Sequence, residues 1–149
     1  MIKTRLMRKI FTLVEVLVVV IIISILSSLA IYQFFRVAEK MRASEGMYIL
    51  GILRNAQLRY YVEHGRFTNI LDEVDVKIPS GKFFNLPQLH TPSYGDGVER
   101  EVVSIQRNNF RCGRHCGYTL KIGDETGKII CEQADPDTGV CPPGFASSF

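Results

Sequence analysis

The sequence predicts an α+β protein in which one long N-terminal helix packs on a small antiparallel sheet. Three observations carry this expectation. Residues Val16 to Phe35 form 20 consecutive positions without a charge. Arg36 to His64 then continues without a proline and keeps apolar residues at helical spacing. After residue 100, short runs rich in Val, Ile and Tyr alternate with turns containing Gly and Asp, the pattern of strands and hairpins. The chain has 149 residues. Roughly 115 of them lie outside the uncharged run and its leader, enough for one small domain and too few for a multidomain enzyme. With Gly 12 and Pro 6 it is neither collagen-like nor of low complexity. A formal charge of +3 is too weak to point to nucleic acid, and no Lys/Arg run after residue 10 adds to it.

Residues 1–10 read as a basic leader, with Lys3, Arg5, Arg8 and Lys9 and no acid. Residues 11–35 read as a membrane helix. Twenty apolar residues rise about 30 Å, the thickness of a bilayer's hydrocarbon core. So many β-branched residues disfavour a helix in water, but in lipid the backbone must pair internally and the helix wins. The cations of the leader orient the span with its N-terminus in the cytoplasm. Three readings compete for the segment: a plain signal anchor, a cleaved signal peptide with Ser28 and Ala30 at the small positions before Ile31, and one that rests on Glu15. A carboxylate inside an apolar run costs roughly 1 kcal/mol or more, up to about 3 at the bilayer centre. It either snorkels to the interface or is compensated by another charge.

Arg8-Lys9 followed by Phe11-Thr12-Leu13-Val14-Glu15-Val16-Leu17-Val18-Val19 resembles the prepilin signature of type IV pilins and type II secretion pseudopilins. The match is dense over about 25 residues. The resemblance implies the pilin fold, removal of the leader by a prepilin peptidase, and Phe11 as the methylated mature N-terminus. It also implies that Glu15 pairs with the N-terminal amine of a neighbouring subunit during assembly, the compensating charge that the apolar run calls for. Ile10 stands where the family has Gly before the cut, and its β-branched side chain fits poorly in a site shaped for Gly. Ser24 and Tyr32 occupy the places where family helices often carry Gly and Pro, so a straighter helix is expected here.

Residues 36–64 read as the amphipathic continuation of that helix. Ala38, Ile49, Ile52, Leu53, Ala56 and Tyr60 fall on one face, while Met47, Leu50, Leu58 and Tyr61 form a second strip. Two strips suit a helix that packs on its own domain and on other subunits; a single wide buried face is the alternative. Gly65 is a good C-cap. The remainder, 65–149, reads as a connecting loop and an antiparallel sheet. The loop runs from Gly65 to Gly97 with a short turn at Leu71–Val74. Strands are expected at Glu101–Gln106, Asn108–Cys112, Tyr118–Ile122 and Lys128–Cys131, the last two joined by the turn Gly123–Gly127.

Cys112, Cys116, Cys131 and Cys141 all follow the span, in the part that is exported to a compartment where disulfides persist. Two bridges are expected, with three possible connectivities. The pilin resemblance implies Cys131–Cys141 as the bridge closing a C-terminal loop, and Cys112–Cys116 as a local one. Zinc is the sharper alternative, but the second pair lacks the spacing of a zinc knuckle. His64, His90 and His115 have no Ser, Cys or Asp partner at motif spacing. Asp72, Glu73 and Asp75 offer a calcium loop or, more simply, a solvated acidic turn, and Asp135 and Asp137 read as turn formers. No phosphate loop and no basic–aromatic patch is legible along the chain.

The expected function is therefore structural, with no enzymatic activity, cofactor or metal: a filament subunit that polymerises through its N-terminal helix. By resemblance its partners are further copies and other pilins, the prepilin peptidase, an assembly ATPase with its platform, and a secretin. Membrane lipid surrounds the helix before assembly, and no direct nucleic-acid contact is expected. The place is the inner membrane first and the cell surface afterwards. A secretion or DNA-uptake pseudopilin, and a binding module behind an ordinary signal sequence, are the alternatives.

Overall fold

The structure, a computed structural model, describes residues 11–79, 81–133, 139–147 and 149, with the backbone alone for Tyr32 and Arg114. Helix α1 runs without interruption over Leu13–His64. The chain divides into two compact units between Phe35 and Arg36.

In the first unit every described side chain from Phe11 to Phe35 is exposed. The helix is long and apolar enough to cross a membrane, with a mean hydropathy of 2.8 over its most apolar window. Two of its hydroxyls bond within the helix: Ser24 Oγ donates to the Val20 carbonyl and Ser28 Oγ to the Ile25 carbonyl, each at 2.7 Å. An apolar solvent favours that pairing, since it offers no partner of its own.

In the second unit, Arg36–Phe149, α1 buries Glu39, Ala43, Gly46, Ile49, Leu50, Leu53, Ala56, Gln57 and Tyr60. Their spacing of three and four residues makes one wide face. The expected division into two strips does not hold. Leu50 is fully buried beside Ile49 and Leu53, and Met47, Leu58 and Tyr61 flank the same core half-buried. Val37, Met41, Tyr48 and Val62 lie exposed on the opposite side. The helix stops at Gly65, whose φ of 69° is costly for residues with a Cβ and whose N–H reaches the Tyr61 carbonyl at 2.8 Å.

The sheet is a four-stranded antiparallel meander, β1 (Gln88–Leu89), β2 (Glu101–Gln106), β3 (Thr119–Gly123) and β4 (Ile129–Glu132), in that spatial order. Val103, Ile105, Leu120, Ile122 and Cys131 join Ile49, Leu50, Leu53 and Ala56 of α1 in one core, closed by Phe67, Val74, Phe84 and Leu89. A 3₁₀ turn at Leu71–Glu73 occupies the expected turn.

Two strand expectations need correction. Strand β1 lies inside the segment expected to be loop. Only two residues long, with Pro87 before it and Pro92 three positions after its end, it shows no periodic signal. Conversely, Asn108–Cys112 is no strand. The Asn108 side chain accepts the Phe110 amide at 3.0 Å, Arg111 takes a φ of 49°, and a 3₁₀ turn, Gly113–His115, follows. A local side-chain acceptor has outcompeted the ladder.

Candidate functional site

The assembly residues implied by the prepilin resemblance sit at the start of α1. Ile10, with the rest of the leader, lies outside the described residues. Phe11 is 69% exposed. Thr12 is the N-cap: its Oγ1 accepts the Glu15 amide at 3.3 Å. Glu15 therefore occupies the third helical position, where the free N–H groups and the helix dipole favour a carboxylate. The spacing Thr12-x-x-Glu15 is that of a capping box, of which the Thr12 half is formed. The position gives the Glu15 carboxylate a favourable local field alongside the assembly role implied by resemblance.

A second cluster joins α1 to the sheet. Glu39 and Arg107, both about 1% exposed, pair through Arg107 Nε at 2.8 Å from Glu39 Oε1. Arg42 donates to the other carboxylate oxygen at 2.9 Å, and the Tyr118 hydroxyl reaches Glu39 at 3.3 Å. The remaining Arg107 donors go to the carbonyls of Phe83, Asn108 and Phe110 and to the Asn108 side chain, at 2.8 to 3.1 Å. Burial pushes the Glu39 carboxyl up, but the hydrogen bonds and charges of Arg107 and Arg42 outweigh it and hold it below its ordinary value. Burial, joined by the Glu39 charge, pushes the Tyr118 phenol up. This is a satisfied structural ion pair that locks the turn 107–111 to the helix.

The cysteines form two bridges, Cys112–Cys116 and Cys131–Cys141. His115 Nδ1 lies 2.6 Å from the Val140 carbonyl and so joins the two bridged loops. Asp135 and Asp137 lie outside the described residues. Among the described residues no three His, Cys, Asp or Glu side chains gather as a metal site.

The histidines are engaged rather than isolated. His64 stacks on Tyr60 with ring centroids 4.1 Å apart. His90 Nε2 lies 2.8 Å from Ser104 Oγ and 3.7 Å from Glu101 Oε1, partners brought to it by the pairing of β1 with β2 rather than by any motif spacing. Serine and carboxylate face the same ring nitrogen, so the carboxylate cannot orient the ring from the other side as a catalytic triad requires. Glu101 also pairs with Lys121 at 2.7 Å. Glu73, a candidate calcium ligand, instead accepts from Thr68 Oγ1 at 2.6 Å and Tyr60 OH at 2.8 Å. These bonds, Thr68 first, hold its carboxyl below the usual range.

The absence of a basic–aromatic patch, expected from the sequence, is overturned. Three segments assemble one. Lys82 and Arg111 stand over the Phe110 ring at 5.5 and 5.6 Å, Arg42 and Arg107 over Phe83 at 5.4 and 5.3 Å, and the two rings are 6.2 Å apart. Arg42 Nη1 also donates to the Arg111 carbonyl at 3.0 Å. The patch is invisible along the chain because Lys82-Phe83 and Phe110-Arg111 are separated by 26 residues and meet only in the fold.

Comparison with protein-family models, curated proteins and solved structures gives no match to this chain.

Proposed function

We propose that the chain is a structural subunit of a type IV pilus-like filament, anchored in the membrane by Val16–Phe35 and polymerised through α1 after leader removal and N-methylation. The observation that supports this reading best is a single helix with two characters. Its first part exposes apolar side chains all round and carries one acid, Glu15. Its second part buries a face in a disulfide-bonded α+β unit. In this reading neighbouring helices replace lipid around the first part and the sheet forms the filament surface. The partners are other pilins, the prepilin peptidase, the assembly ATPase and platform, and a secretin.

The N-terminal mass of protein extracted from membranes or shed filaments tests this. A methylated chain beginning at Phe11 supports it. A chain beginning at Ile31 refutes it in favour of an ordinary signal peptide, and an intact Met1 shows that Ile10 blocks processing. A secretion or DNA-uptake pseudopilin is the second reading; the Cys131–Cys141 bridge favours a pilus, since major pseudopilins usually lack that bridge.

A further inference from the structure

The basic–aromatic patch is not used by the proposed polymerisation through the helix, and its composition points to a ligand. We propose that Arg42, Lys82 and Arg111, with Phe110 among them, dock the folded unit on the phosphate headgroups of an anionic bilayer. The inference rests on the reading that Val16–Phe35 spans the membrane. Arg36 follows that segment directly. At 1.5 Å per residue, Arg42 stands about 9 Å further along the same helix. The headgroup layer is about 5–7 Å deep and the Debye length is about 8 Å, so its guanidinium falls within reach of lipid phosphates. Lys82 and Arg111 are carried to the same place by the contacts of Arg42 with the Phe83 ring and the Arg111 carbonyl.

Charge supports the choice of ligand. Elsewhere on the second unit Arg100 is matched by Asp96, and Lys121 by Glu101 and Glu132. In the patch, Glu39 serves both Arg42 and the buried Arg107, while Glu45 is engaged with the Phe83 amide at 3.1 Å and pairs with no cation among the described residues. Among the described residues no carboxylate lies within 4.0 Å of Lys82 or Arg111, which stand over an aromatic ring instead. Phe110 remains 43% exposed between them. Cations with long apolar stems around an exposed ring suit an interface with phosphate outside and hydrocarbon beneath.

The test uses the full-length chain reconstituted in phosphatidylcholine vesicles with trace spin-labelled phosphatidylglycerol or phosphatidylcholine. The readout is the association of the anionic lipid relative to the zwitterionic one. Each Lys or Arg near an anionic surface is worth about fivefold in partitioning. The expected result is a preference for phosphatidylglycerol that falls at least twofold in Lys82→Gln/Arg111→Gln, whereas Lys77→Gln, an exposed lysine with no contact to either ring, leaves it intact. Near-ultraviolet circular dichroism confirms that the variants stay folded. A preference unchanged in the double variant, or absent from the wild type, overturns the proposal. A chain washed out by alkaline carbonate removes the membrane span and the docking together, whereas a retained chain without lipid preference removes the docking alone. A signal that depends on protein density rather than lipid charge assigns the patch to a second copy, whose exposed Asp72 and Asp75 would be its match, and likewise overturns the proposal.

Discussion

Two glycines on the same helix should respond oppositely to the same substitution. Glycine in a helix interior costs about 0.5–1 kcal/mol relative to alanine, so Gly→Ala stabilises wherever the new methyl has room. Gly51 has room: nothing lies within 4 Å of the position a Cβ would take. Gly46 does not. Its Cβ would fall 2.8 Å from Cζ of Phe84 and 3.0 Å from Cδ1 of Leu120. Phe84 is held edge-on against Tyr118 with centroids 6.1 Å apart, and Leu120 is fully buried, so neither can yield without disturbing the core. Overpacking of this kind costs about 1–3 kcal/mol. The propensity gain offsets part of that, leaving Gly46→Ala destabilised by about 0.5–2 kcal/mol. For a unit of this size 1 kcal/mol is roughly 4 °C in Tm. Thermal unfolding of the full-length chain in mild detergent, followed by the tyrosine near-ultraviolet signal, should therefore show Gly51→Ala rising by about 2–4 °C and Gly46→Ala falling by about 2–8 °C. If Gly46→Ala gains as much as Gly51→Ala, the helix does not press on Phe84 and Leu120 and the packing described here is wrong.

Arg107→Met should cost about 3–5 kcal/mol in urea unfolding, because it leaves the buried Glu39 carboxylate with Arg42 and the Tyr118 hydroxyl alone and removes the donors to three carbonyls; a loss below 1 kcal/mol would deny the pair its structural role. Glu39 titrates below its ordinary value of 4.5 in the folded state. Its stabilisation is thus fully present above about pH 4.5 and is lost as the pH falls through the lower folded value, a slope that Glu39→Gln should flatten. Loop-closure entropy ranks the disulfides. Removing Cys131–Cys141, with its separation of 10 residues, should cost about 3 kcal/mol, against about 2 for Cys112–Cys116, with its separation of 4. Equal midpoint shifts in the two serine double variants would contradict that ranking. Glu15→Ala should insert in the membrane but enter filaments poorly in a mixed-subunit assembly assay; incorporation equal to wild type would leave Glu15 only its place in the first turn of the helix.

Local chemistry made some elements readable and tertiary contact hid others. The helix end at His64 and the hairpin across Gly123–Gly127 were legible because glycine and alternation act within a few residues. Strand β1 was not, since two residues carry no period and exist as a strand only because β2 is there to pair with. The run Asn108–Cys112 misled for the opposite reason: Phe110 and Cys112 look strand-like, but the Asn108 side chain and the buried Arg107 bend the backbone. Leu50 seemed to belong to a separate stripe until the width of the sheet beneath it was known. The same holds for the surface. Glu15 could be singled out because a charge in an apolar run is conspicuous by itself. The patch of Lys82, Phe110 and Arg111, and the approach of His90 to Ser104, depend on chain crossings that no linear pattern encodes.

The segment around Ala146 bears on how the sheet is protected once it has formed. Ile130 bridges to Ala146 in parallel, and the Cys131 amide donates to the Ala146 carbonyl at 2.9 Å. The Cys131–Cys141 bond ties that tail to the strand it covers. Strand β4 would otherwise end the sheet with open backbone groups, ready to recruit a strand from any neighbour. At the opposite margin β1 is too short to serve as a template. In the proposed filament copies meet constantly, and a sheet with one margin covered and the other only two residues long offers those encounters little to extend through strands.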